Sequence, residues 1–346
     1  MKNIILIILT LAALQTYGQN AKKDSLMREV DAYVRTVHAA AEQFLNKQLR
    51  DEERIKAIAP YALIYDDKQK EQFKNVVLDN NENPEVRATA LNKIYSLVEN
   101  DQRLFALTAE WLTNREAPKA LRAEALQLAG NLSFSSTAMI APDTYQKLLD
   151  DPELAFRQFA FTKLIIHGDA RAQQKLIAGL ENPAAAPLPA PMAIGILSMS
   201  LKKEYYPAVY KVLQTTKDEA TRLEAVRALG YYMDARQTLI NISRNPNEKE
   251  PFREAALSAL YGGDRDNIVQ YASPILTDNS AGPRLQAIAI QMTIDVRQNM
   301  SYRVKAKKAD AYDVLIKTIA DGKGAPTSPD VKKIAERYIR AVRPNY

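Results

Sequence analysis

Cysteine is absent from the 346 residues, and histidine occurs only twice. The first absence excludes disulfides, thiolate metal sites, a cysteine nucleophile and the lipidated cysteine of a lipoprotein. The second excludes a metal centre built on several histidines. Glycine is scarce at 11 residues, about half the usual share of ~7%, which argues against a turn-rich all-β fold. No glycine-rich phosphate loop and no Gly-x-Ser-x-Gly elbow occurs, so two common catalytic signatures are missing. What remains is ordinary for a globular chain: 47% apolar and 25% charged residues.

The N-terminus carries an address. Lys2 precedes an apolar run from Ile4 to Leu14, interrupted by Thr10. Thr16 and Gly18 stand at the −3 and −1 positions of a cut before Gln19. This order predicts a cleavable signal peptide over residues 1–18. The run is too short for a helical span, which needs roughly 20 apolar residues. The expectation is therefore a secreted or periplasmic chain starting at Gln19, with no membrane span after cleavage and no lipid anchor.

The net charge of +6 is unevenly placed. From Arg297 to Tyr346 there are 12 basic and 5 acidic residues. The chain before Arg297, Lys2 apart, is slightly acidic.

A repeat runs through the sequence. An acid or proline is followed by arginine, then by alanine about three residues on: Asp51, Arg54, Ala57; Pro84, Arg87, Ala90; Pro118, Arg122, Ala125; Pro152, Arg157, Ala160. Asp218, Arg222, Ala225; Pro251, Arg253, Ala256; and Pro283, Arg284, Ala287 continue it, and Pro329, Lys332, Ala335 close it with lysine. The starts lie 32–34 residues apart, apart from one double step and one long one. The double step places a degenerate, proline-rich unit at 183–216, and the long step places an insertion at 298–309. Periods of this length signal stacked supersecondary units.

Each unit reads as two helices. Proline at a first helical position suits the required φ and lacks an N–H that would go unpaired. Asn83, Asp151, Asn182 and Asp218 are expected N-caps. Asp169, Asp234 and Asp264 are expected to cap the second helices, which carry apolar stripes such as Leu176, Ile177, Leu180 and Leu239, Ile240, Ile242. Neither helix buries its stripe alone, and stacking makes the core continuous. Leu26, Val30, Val34, Val37, Ala41 and Leu45 predict one amphipathic helix within 19–50 that caps the first repeat. The C-terminal helix Val331–Val342 caps the other end, with Lys332, Lys333, Arg337 and Arg340 on its polar face.

The order acid or Pro, Arg, Ala, Leu229–Gly230, Asp234–Ala235–Arg236 resembles the HEAT repeat family, in the short form seen in phycobilisome-lyase-type proteins. The match covers about 51–346, closest over 218–245. It implies an all-α fold: an α-solenoid of about eight or nine two-helix repeats behind the N-terminal capping helix. It implies a curved binding surface rather than a reaction. In such repeats the recurrent arginine ties adjacent turns to carboxylates or carbonyls, and the second helices line the concave face.

Candidate chemistry is thin. Neither His38 nor His167 is expected to form a ligand pair, and no His-Glu dipeptide occurs. His167 beside Gly168 suits a helix C-terminus, which favours a cation. The acidic pairs Asp66–Asp67, Asp150–Asp151 and Asp264/Asp266 stand where caps are expected. Trp111, beside Leu107 at helical spacing, reads as core. No catalytic residue, metal or cofactor is expected. The candidate contact patch is Tyr206 and Tyr210 on one second helix with Gln237, Asn241 and Arg244 on the next, since tyrosine is enriched at recognition surfaces. A second candidate is the basic stretch Arg303, Lys305, Lys307 and Lys308. The expected function is a non-catalytic scaffold for a protein partner in the cell envelope. The alternatives are an anionic-polymer binder acting through the basic stretch, with nucleic acid disfavoured by the signal peptide, and a groove-site enzyme.

Overall fold

A computed structural model of the chain describes residues 20–132, 141–298, 308–323 and 328–343. The expected signal peptide therefore lies outside the described residues. Among those described the chain is all-helical, with nineteen α-helices and no strand. They are α1 Asn20–Leu45, α2 Asp51–Ile58, α3 Asp67–Leu78, α4 Pro84–Lys93, α5 Tyr95–Val98, α6 Gln102–Thr113 and α7 Lys119–Leu132. Next come α8 Pro142–Gln146, α9 Leu154–Ile166, α10 Ala170–Glu181, α11 Ala190–Ser198, α12 Tyr206–Thr215 and α13 Glu219–Ala228. The last are α14 Arg236–Arg244, α15 Glu250–Gly263, α16 Ile268–Leu276, α17 Pro283–Arg297, α18 Ala311–Ala320 and α19 Pro329–Val342.

The chain divides into two compact units, Met1–Ala160 and Phe161–Tyr346. In the first, α2 packs on α4 and α4 on α7, while α1, α3 and α6 each pack on the helix that opens the next repeat. In the second, α11, α13, α15, α17 and α19 pack each on the next. There α10, α12, α14, α16 and α18 each pack on the following first helix. These helices are thus packed against near neighbours in sequence.

Local chemistry explains the boundaries. Asp66, Asn83, Asp101, Asp169, Asp218, Asp310 and Ser328 accept from backbone N–H groups of the turn that follows, satisfying donors that the helix leaves free. Asn182 and Asp234 cap no helix through their side chains, contrary to expectation. Instead Pro183–Ala185 and Met233–Ala235 form 3-10 turns there. The proline-rich unit still supplies two helices: α11 opens with Pro191 in its first turn. Gly230 and Gly263 lie where neighbouring first helices end. A Cβ on Gly263 would collide with the Gly230 carbonyl, and one on Gly230 with the Ala259 carbonyl.

Of the recurrent arginines, Arg54, Arg87, Arg122 and Arg253 are buried, and Arg157 and Arg222 are half-buried. Arg157 donates to the Asp151 and Pro152 carbonyls just before its own helix, and the others tie consecutive segments together. Arg54, Arg87 and Arg253 each donate Nε to a carbonyl ten residues back, of Phe44 at 2.8 Å, Val77 at 3.0 Å and Ser243 at 3.2 Å. Each of those carbonyls lies in the last turn of the preceding helix. The far end of the guanidinium reaches forward. Arg54 meets Glu82 at 2.9 and 3.0 Å, Arg122 meets Asp151 at 2.5 Å, Arg222 meets Glu248 at 2.6 and 3.0 Å, and Arg253 meets Asp278 at 2.6 Å. These acids sit in the loops that lead into the next repeat. An aromatic ring lies under most of them: Phe44 under Arg54, Trp111 under Arg87, Phe156 under Arg122 and Phe252 under Arg222. Trp111 is accordingly a buried packing residue.

Two members of the series are placed differently. Arg284 is exposed and pairs with Glu254 at 3.1 Å; Gln286 takes the buried position on α17. Lys332 is exposed on α19. The tie for this end of the chain comes from Arg297 instead. Its guanidinium meets Asp310 at 2.6 Å, Asp313 at 2.7 Å and the Tyr338 hydroxyl at 2.5 Å. Tyr338 in turn donates to Asp313 at 2.6 Å, and Arg343 donates to Asp313 at 2.9 Å. Part of the C-terminal basicity is therefore consumed inside the fold.

Candidate interaction surface

Three successive second helices of the second unit, α12, α14 and α16, carry the expected patch. Tyr206 does not face outward. It is buried, its ring 4.5 Å from that of Tyr205 and 5.2 Å from that of Tyr232. The cause is the tight spacing of adjacent repeats, which clamps the ring. Tyr210, one turn later, is half-buried. Its hydroxyl shares a 3.0 Å hydrogen bond with Thr238 Oγ1 of α14.

Gln237, Asn241 and Arg244 are exposed. Their spacing of four and three residues puts them on one face of α14. Gln237 Nε2 donates to Asn241 Oδ1 at 2.9 Å, and Arg244 donates to the Gln270 carbonyl of α16 at 2.9 Å. The surface is thus polar, largely uncharged and anchored across three repeats. Thr238 and Gln270 belong to it although their residue types gave no signal. Only the repeat offset of 26–28 residues from Tyr210 and Arg244 points to them.

Of the basic stretch, Arg303, Lys305 and Lys307 lie outside the described residues. Lys308 is exposed, and its carbonyl accepts from Arg343 at 3.1 Å. The acidic pairs have divided roles. Asp66 is a cap, accepting from the Gln69 N–H at 2.8 Å. Asp151 is the buried partner of Arg122, and Asp264 is held by Tyr271 and Asn267 rather than capping through its side chain. Burial and that carboxylate push the Tyr271 hydroxyl up to about 12.

His38 lies 3.6 Å from Glu42 on an exposed helix face, and His167 is exposed. Among the described residues no three His, Asp or Glu side chains are grouped as metal ligands, and no helix is long and apolar enough to cross a membrane. Two carboxyls are raised by burial. Glu124 of the first unit accepts from Asn92, and Glu254 of the second unit pairs with Arg284. An open cleft of about 570 Å³ in the first unit crosses the N-termini of α2, α4 and α7, lined by Asp51, Glu52 and Glu85 among others. These acids sit at helix N-termini, where negative charge is favoured.

No family model, curated protein or solved structure matches the chain.

Proposed function

We propose that the protein is a HEAT-like α-solenoid scaffold, exported and non-catalytic, that holds a protein partner of the cell envelope along the second helices of Phe161–Tyr346. The observation that carries this reading is the face formed by half-buried Tyr210 and Thr238 with exposed Gln237, Asn241, Arg244 and Gln270, joined by hydrogen bonds from α12 to α14 and from α14 to α16. Preorganised polar groups on rigid helices lose little freedom on binding. A tyrosine and an arginine within one patch are the residue types that dominate interface energetics.

Affinity capture from envelope extract tests it, with the chain from Gln19 as bait. A triple variant, Tyr210→Ala, Asn241→Ala and Arg244→Ala, is expected to keep its helix content. It should lose at least about 2 kcal/mol of binding, roughly 30-fold. Undiminished capture by the folded variant contradicts the reading. Capture that survives the triple variant and vanishes at high salt, or when Lys305, Lys307 and Lys308 become glutamine, moves the function to an anionic polymer.

A further inference from the structure

Five large apolar side chains of the second unit stand in solvent at one place in the repeat. Leu201 is 91% exposed, Tyr231 67% and Met233 63%, while Ile166 and Met199 are each just over half exposed. All sit at or beside the turn between the two helices of a repeat: after α9, between α11 and α12, and between α13 and α14. Ile166, Met199 and Tyr231 recur at steps of 33 and 32 residues, and Leu201 and Met233 at 32. The turns form one continuous edge. Lys202 Nζ donates to the Gly168 carbonyl of the preceding turn at 3.0 Å. The rings of Tyr206 and Tyr232 stack at 5.2 Å. The Tyr231 ring lies 3.9 Å from where a Cβ on Gly262, in the fourth turn, would stand.

Charge on this edge is concentrated at the most exposed tip. Leu201 is followed by Lys202 and Lys203, both exposed, whose ammonium groups rest on the Gly168 and Ser200 carbonyls. Glu204 is engaged by Gln173 at 3.2 Å. In the third and fourth turns Asp234, Asp264 and Asp266 stand against Arg236 and Arg265, with Arg236 3.5 Å from Asp264, so these turns bring no net positive charge. The apolar groups are separate projections on turns, one repeat apart. A fluid apolar medium accepts such projections without a matching set of holes, and lysines beside them can keep their charge at its surface.

We propose that this turn edge docks on an anionic lipid bilayer. Leu201, Tyr231 and Met233 enter the acyl boundary, and Lys202 and Lys203 meet headgroup phosphates. The edge is separate from the second-helix patch, so either assignment stands without the other.

Vesicle flotation tests it with the chain from Gln19, which keeps every described residue and removes the apolar N-terminus as a competing anchor. The protein should float with vesicles of equal parts phosphatidylglycerol and phosphatidylcholine, and weakly with phosphatidylcholine alone. Leu201→Glu should weaken binding about tenfold or more, and Lys202→Glu with Lys203→Glu should weaken it too, with unchanged circular dichroism. The Arg244→Ala variant should float like the parent. Four outcomes overturn the proposal: no flotation, flotation indifferent to Leu201→Glu, a dimer in light scattering that Leu201→Glu dissociates, or a protein partner lost with Leu201→Glu while vesicles are never bound.

Discussion

Asp313→Ala is expected to remove about 3–5 kcal/mol of folding stability, the range found when one partner of a buried ion pair is deleted. The Asp313 side chain is fully buried. It accepts from Arg297, Arg343 and Tyr338, and through its second oxygen from the Asp310 N–H. Its removal takes the carboxylate acceptor from the buried Tyr338 phenol and leaves the Arg297 guanidinium with Asp310 alone of its two carboxylates. Burial pushes this carboxyl upward, but hydrogen bonds from Arg343 and Tyr338 outweigh it, and the net direction is below the ordinary range. Urea unfolding measures the loss. Asp321→Ala at the opposite end of the same helix is the control. That carboxylate is partly exposed and pairs only with nearby lysines, so a change within about 0.5 kcal/mol is expected. Equal effects at the two positions would mean that the α17–α18–α19 network does not hold this end together.

Acid should unfold the chain steeply below about pH 4, where ordinary carboxyls titrate. The hydrogen bonds from Arg54 hold Glu82 below its usual range, and those from Arg222 do the same for Glu248. Asp278 and Asp313 are lowered as well, their hydrogen bonds outweighing burial. A carboxyl whose folded pKa is depressed contributes stability that is complete above its unfolded value and is lost as pH falls through the folded one. Each of these acids bridges two consecutive helical segments, so protonation loosens the packing between repeats. Glu124 and Glu254, raised by burial, act in the opposite sense, but they are fewer. Thermal melts from pH 7 to pH 2 should therefore show a fall confined to the acid limb. Glu82→Gln should lower the plateau and flatten that limb. A melting temperature unchanged down to pH 2 would contradict the role given to the arginine links.

Much of the fold was legible because the repeat is written in short-range chemistry. Asp51, Pro84, Asp218, Pro283 and Pro329 mark helix starts, and the helices begin within a residue of them. That the recurrent arginine acts as a tie was expected only through the resemblance to HEAT repeats. Its partners were not legible as a set. Asp151 looked like a cap, and one of its oxygens does accept from the Glu153 N–H at 3.0 Å. The other is the buried mate of Arg122, which was not foreseen because burial depends on how the next repeat packs. Arg284 fitted the sequence pattern, yet Gln286, two residues on and about 200° round the helix, takes the inner position and leaves Arg284 on the surface. The candidate surface was legible in part. Gln237, Asn241 and Arg244 share a face by spacing alone, whereas Tyr206 was lost to packing against Tyr205 and Tyr232. The exposed turn edge had no sequence signature, since Leu201 and Met233 look like core residues until the backbone turns them outward.

The proposed stacking of repeats joined by arginines predicts a local response to a local cut. Arg253 links α14, through the Ser243 carbonyl, to the loop before α17, through Asp278 and Ser280. Amide hydrogen exchange of Arg253→Ala measures this directly. The predicted result is faster exchange in α14 to α17, with protection kept in α10 to α12. Equal loss of protection throughout Phe161–Tyr346 would show a single cooperative core and contradict the repeat account.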